Sequence, residues 1–175
     1  MSFFTDYKKA VSSQLAATLE MTNKLVKECS ESLWSTNIEG HIFGQVLYHA
    51  LYYVDFYSND LDPNIQHPDK QFTRAPFIDM KTDPDAALDI STDQVLSKDI
   101  ILQYISYIRR KIAKLLEAAT EENLMKKSKF DWLPMTSMET VLYLSRHLMD
   151  HAGQAQAYLK TQEQKVVSWV GVAEL

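Results

Sequence analysis

The sequence contains His147-Leu-Met-Asp-His151, two imidazoles four residues apart. On a helix, residues i and i+4 share a face, so such a pair can grip one metal ion. The same spacing serves the His-Glu-x-x-His zinc enzymes. Here Leu148 stands where those enzymes carry their glutamate, so their mechanism is not supported. The pair alone is a common chance spacing. A third histidine, His49, lies on an apolar helical stripe much earlier in the chain (Ile42, Val46, His49, Tyr53, Phe56).

A buried polar group without a partner costs about 1–3 kcal/mol, and three inward imidazoles can meet that need together by ligating one cation. Three neutral imidazoles leave one position on a divalent metal open to water or substrate, as in catalytic rather than structural zinc sites. That position can activate water or hold a thiolate. The alternative reading makes all three hydrogen-bonded core residues. Imidazole suits zinc, nickel, copper and iron alike, so the residue types do not choose the metal.

Other candidates weigh less. A ferritin-like di-iron centre needs Glu-x-x-His motifs, which are missing. Asp150 adjoins His151 and so points about 100° away around the helix, toward solvent. Asp55, six residues after His49, is also expected to face outward; either carboxylate could instead fix a histidine tautomer. Tyr53 and Phe56 follow His49 on its face and are candidates for lining a pocket above the metal. Most of Tyr48, Tyr52, Tyr53 and Tyr57 are expected to pack with their hydroxyls at the surface. His41, His67 and Arg146 read as surface residues and Cys29 as a small core residue. No separate general base stands out, so the catalytic residues are left unassigned.

Four long segments with a 3.6-residue apolar period must position these groups, and no run alternates convincingly at period two. They cover roughly 6–30, 38–58, 91–119 and 136–162. Asn37 is the expected cap of the second. Ser91-Thr92-Asp93-Gln94 and Thr136-Ser137-Met138-Glu139 have capping-box form before the third and fourth. The third carries Val95, Leu102, Ile105, Ile108, Ile112 and Leu115 on its stripe. A long Asp- and Pro-rich connection, 59–90, separates the second and third, with a short extended piece expected near Phe72 to Phe77. Loops of that length inside compact domains are often functional. The whole chain, 1–175, reads as a single all-α four-helix-bundle domain, with 165–175 as an apolar tail lying on the bundle or on a partner subunit.

Bulk properties set limits on partners. The chain has 175 residues, a formal net charge of -5, 4 glycines and 1 cysteine. That length is enough to bury one substantial core. The charge argues against nucleic acid, and no basic amphipathic stretch or apolar span suggests a membrane. Few glycines disfavour phosphate-cradling loops and turn-rich β folds. One cysteine allows no internal disulfide, and Met1 to Asp6 lack the apolar core of a signal peptide, so a cytoplasmic location is expected.

Three features carry a resemblance to a known family. Gly44-Gln-Val-Leu-Tyr-His49 is similar to its second-helix histidine motif, His147-x-x-x-His151 to its fourth-helix pair, and Gly153-Gln154 to the Gly-Gln that tends to follow. On these residues the chain resembles, over nearly its full length, the DinB-like (DinB/YfiT) four-helix bundles. The resemblance implies an up-down-down-up topology and one divalent transition metal (zinc, nickel or iron) on His49, His147 and His151. It also implies a homodimer acting on an unidentified small molecule, as a hydrolase or a transferase of low-molecular-weight thiols. The alternative is a non-catalytic bundle whose metal braces the second and fourth helices. Many members carry His or Arg directly after the last ligand, where this chain has Ala152.

Overall fold

The computed structural model describes residues 3–38, 40–62 and 95–175 and is mostly helical. Helix α1 (Phe3–Glu28) buries Val11, Leu15, Leu19 and Val26 at helical spacing. Ser30 caps the single-turn α2 (Glu31–Trp34) by accepting from the Leu33 amide.

The second long helix begins later than expected. Two short strands, β1 (Asn37–Ile38) and β2 (His41–Ile42), pair antiparallel in place of its first turn. Gly40 turns the chain with φ 94°, a conformation that glycine reaches without a Cβ penalty. Asn37 does not cap a helix; its Oδ1 accepts from the Gly40 amide. Helix α3 therefore spans Phe43–Ser58 and runs into a 3-10 turn, Asn59–Leu61.

Helix α4 (Lys98–Ala118) also opens late. Residues 95–97 are not helical, and Ser97 is the cap, accepting from the Ile100 amide. The Ser91 to Gln94 box, the extended piece near Phe72 to Phe77 and His67 lie outside the described residues. The buried face of α4 is centred on Ile101, Tyr104, Ile105, Ile108 and Ile112; Leu102 and Leu115 sit at its half-buried edge. A short helix, α5 (Glu121–Met125), interrupts the next connection. Thr136 and Glu139 make the expected capping box, and α6 (Ser137–Glu163) follows.

Helices α1 and α3 each pack against both α4 and α6. The Tyr7 hydroxyl donates to the Met138 carbonyl at 2.6 Å, tying the starts of α1 and α6. Lys98 donates to the Cys29 carbonyl at 2.6 Å, tying the start of α4 to the end of α1. Cys29 itself is buried and reduced, and burial pushes its thiol up to about 11.

Residues 164–175 have no regular structure. Val167 is buried, Lys24 donates to Ser168 and Gln14 to the Gly171 carbonyl, so the tail lies along the bundle, while Trp169 and Val172 stay exposed. Among the described residues no helix is long and apolar enough to cross a membrane.

Candidate metal centre

Helix α3 lacks a solvent face. Every one of its residues except His49 is buried, and His49 is half-buried. A helix that is apolar all round is normally enclosed by its neighbours, and α3 follows that rule. His147 and His151 flank the buried row Leu144, Leu148, Ala152 and Ala155 on α6, also half-buried. Packing of α3 against α6 brings the three imidazoles together.

One potential ligand nitrogen from each of the three lies within 4.8 Å of the others. His147 Nε2 and His151 Nε2 are 3.1 Å apart. Ring centroids are 4.8 Å (His49 to His151), 5.4 Å (His49 to His147) and 4.7 Å (His147 to His151) apart.

Burial first, then the neighbouring imidazoles, holds His49 down at about 3. Burial, with His151 adding to it, lowers His147 to about 4. His151 is also lowered, chiefly by burial. The cluster is therefore neutral at pH 7, which is the ligating form. Among the described residues, His49 Nδ1 and His147 Nδ1 have no hydrogen-bond partner. Crowded, neutral, under-partnered imidazoles, joined by no carboxylate among the described residues, fit a divalent transition metal of the nitrogen-liganded kind.

The surroundings are aromatic. Tyr53 sits 4.8 Å from His49 and 5.7 Å from His147, centroid to centroid, so it does border the cluster. Phe56 stands behind it, packed on Tyr52 and Phe130. Tyr143 stacks on His147, with planes 4° apart. Tyr143 lies one turn before His147 on the same face, so helical spacing alone could have found it. Arg146 is exposed and holds its guanidinium 5.3 Å from the Tyr143 ring.

Two expectations need correction. Tyr48, Tyr52, Tyr53 and Tyr57 do not reach the surface; all four are buried. Asp55 does not face outward either. It is fully buried and accepts from Tyr104 (2.8 Å) and Lys111 (2.6 Å) on α4. Asp150 is exposed as expected, and its carboxylate accepts from Gln154.

Gly44, in the motif before His49, has a packing role. A Cβ there would meet Val95 Cγ2 at 2.5 Å and the Trp34 ring at 2.6 Å. The Trp34 indole is itself fixed by a 2.8 Å bond to the Leu96 carbonyl. Gly44 thus lets the first turn of α3 close against Trp34 and Val95.

The family model of the DinB superfamily matches residues 14–155. The chain belongs to the DinB superfamily. No curated protein and no solved structure matches it. The matched stretch of this DinB chain contains all three histidines. Ala152, the departure noted above, is fully buried in the core beside Leu148, so a larger side chain there would have to displace packed neighbours.

Proposed function

We propose that this DinB-superfamily chain is a metal-dependent enzyme with one divalent transition metal (zinc, nickel or iron) held by His49, His147 and His151. The observation that carries this reading is the convergence of three imidazoles within 4.8 Å, with no carboxylate joining them among the described residues. When bound, such a metal supplies a Lewis acid with an open position that makes a bound water or thiol more acidic.

The chain's own residues have separate tasks. The three histidines stay neutral and available because burial suppresses their protonation. Tyr53 and Tyr143 wall the cluster with ring surface, which limits water and favours a substrate with an apolar part. The reaction class is transfer of a low-molecular-weight thiol or hydrolysis. In the transfer, a bond forms between sulfur and an electrophilic carbon, the bond to the leaving group breaks, and the thiol proton passes to solvent.

The reading includes the up-down-down-up order of the long helices. Tyr7 reaching Met138 supports α1 and α6 running in the same sense. Lys98 reaching Cys29 supports α1 and α4 running oppositely. His49 beside His151, with Tyr57 beside Tyr143, supports α3 and α6 running oppositely. A cytoplasmic homodimer belongs to the same reading, and the exposed Trp169 and Val172 offer apolar area for it.

One observation favours a second reading. The three ligands come from only two helices, α3 and α6, so a metal would also brace that pair. The His49→Ala variant separates the two. Loss of metal with unchanged folding stability excludes bracing. Turnover of low-molecular-weight thiols with electrophiles, or of amides or esters, then establishes catalysis; no turnover with any of them favours the binding protein.

A further inference from the structure

Gln154 has a geometry that the triad by itself does not explain. It lies one turn after His151 on α6, and its Oε1 is 3.1 Å from His151 Nδ1. The other end of the same amide is occupied, because Gln154 Nε2 donates to Asp150 Oδ2 at 3.0 Å. A carboxylate only accepts, so it selects the NH2 end of the amide. With Nε2 committed to Asp150, the carbonyl oxygen is the end left for His151. An amide oxygen also only accepts, so His151 must carry its proton on Nδ1.

We propose that Gln154 is a positioning residue that fixes His151 as the Nδ1–H tautomer, with Asp150 locking the amide that does so. The His151 Nε2 lone pair is then bare and faces His147 Nε2 at 3.1 Å, where the three imidazoles converge. Metal-ligating histidines generally donate their other ring N–H to an acceptor, which sets the tautomer and raises ligand basicity. Among the described residues, His151 alone of the three has such an acceptor, since His49 Nδ1 and His147 Nδ1 have none. His151 is thus the preset ligand, and the other two adjust their tautomers when an ion enters. The inference about the ligand's purpose rests on the metal reading above; the tautomer itself does not.

Asp150 acquires a role through a hydrogen bond to Gln154 rather than to a histidine. Its carboxylate acts through the Gln154 amide, one turn away on the exposed side of α6. Asp150 and Gln154 are exposed positions on a long helix, so substitutions by good helix formers there leave the fold intact.

The test has two arms. Long-range proton–nitrogen correlation spectra of the metal-free protein read the His151 tautomer directly. The expected result is an Nδ1–H form in wild type that gives way to a mixed or Nε2–H population in Gln154→Leu. An unchanged tautomer in Gln154→Leu overturns the proposal, whether or not the protein binds metal. The second arm measures zinc affinity by chelator competition. Gln154→Leu is expected to weaken binding by about 10–100-fold, the usual effect of losing a ligand's hydrogen-bond partner. Gln154→Glu, whose carboxylate accepts in any orientation, is expected to restore it. Asp150→Ala is expected to weaken zinc binding more in wild type than in the Gln154→Glu background, where no amide needs orienting. Equal affinities for wild type and Gln154→Leu, or equal effects of Asp150→Ala in the two backgrounds, overturn the positioning role. A wild type that shows the Nδ1–H tautomer but takes up none of zinc, nickel and iron sinks the metal reading and leaves the tautomer assignment standing.

Discussion

Asp55 Oδ1 accepts a hydrogen bond from Lys111 Nζ at 2.6 Å, with the carboxylate fully buried. Asp55 lies six residues after His49, which places it about 120° around α3 from the histidine. The two residues therefore serve opposite neighbours: His49 faces α6 and Asp55 faces α4. Removing one partner of a buried pair leaves the other uncompensated, at about 3–5 kcal/mol. Asp55→Ala is expected to lose that much stability in denaturant titration and to keep its metal stoichiometry under folding conditions. Loss of metal without loss of stability would instead make Asp55 part of the metal centre.

Gly44 gives a second prediction. In an open helix Gly→Ala is favourable by roughly 1 kcal/mol. Here the added Cβ would fall 2.5 Å from Val95 and 2.6 Å from Trp34. Overpacking of this kind costs about 1–3 kcal/mol, so the sign reverses. Gly44→Ala is expected to lower Tm; a raised Tm would show that Trp34 yields freely.

The reasons why some of this was legible in the sequence, and some not, are physical. His147 and His151 declare their shared face by spacing alone, and Thr136 with Glu139 declares the start of α6, because both depend on residues within one turn. The meeting of His49 with the α6 pair was argued from two inward stripes and strengthened by the resemblance, since nothing local to His49 names its partner helix. Asp55 and the buried tyrosines were misplaced for one reason. A helix enclosed on all sides has no outward face, so amphipathic reasoning assigns its polar groups to a solvent that is not there. The late start of α3 follows from Gly40 at φ 94°, a turn that competed with an otherwise good Asn37 cap.

Acid sensitivity is the third prediction. Burial holds His49 at about 3 and His147 at about 4, against an ordinary value of 6.5. Below pH 6.5 the unfolded chain takes up protons that these folded histidines refuse. Stability therefore rises with pH through this window. It is fully present above the unfolded value and is lost as pH falls toward the folded ones. Melting curves of the metal-free protein are expected to shift down steadily from pH 7 to pH 4, and less so in His49→Leu. Identical pH dependence in the variant would show that the cluster is not the source.

The central claim is that His49, His147 and His151 form one metal site. Its most direct test is elemental analysis and metal titration of protein purified without a polyhistidine tag, for wild type and each single His→Ala variant. The account predicts about one equivalent of a divalent transition metal per chain in wild type, tight enough to survive dialysis, and loss of that site in all three variants. Less than about a tenth of an equivalent in wild type with no uptake on titration, or full occupancy retained in any one variant, would contradict it.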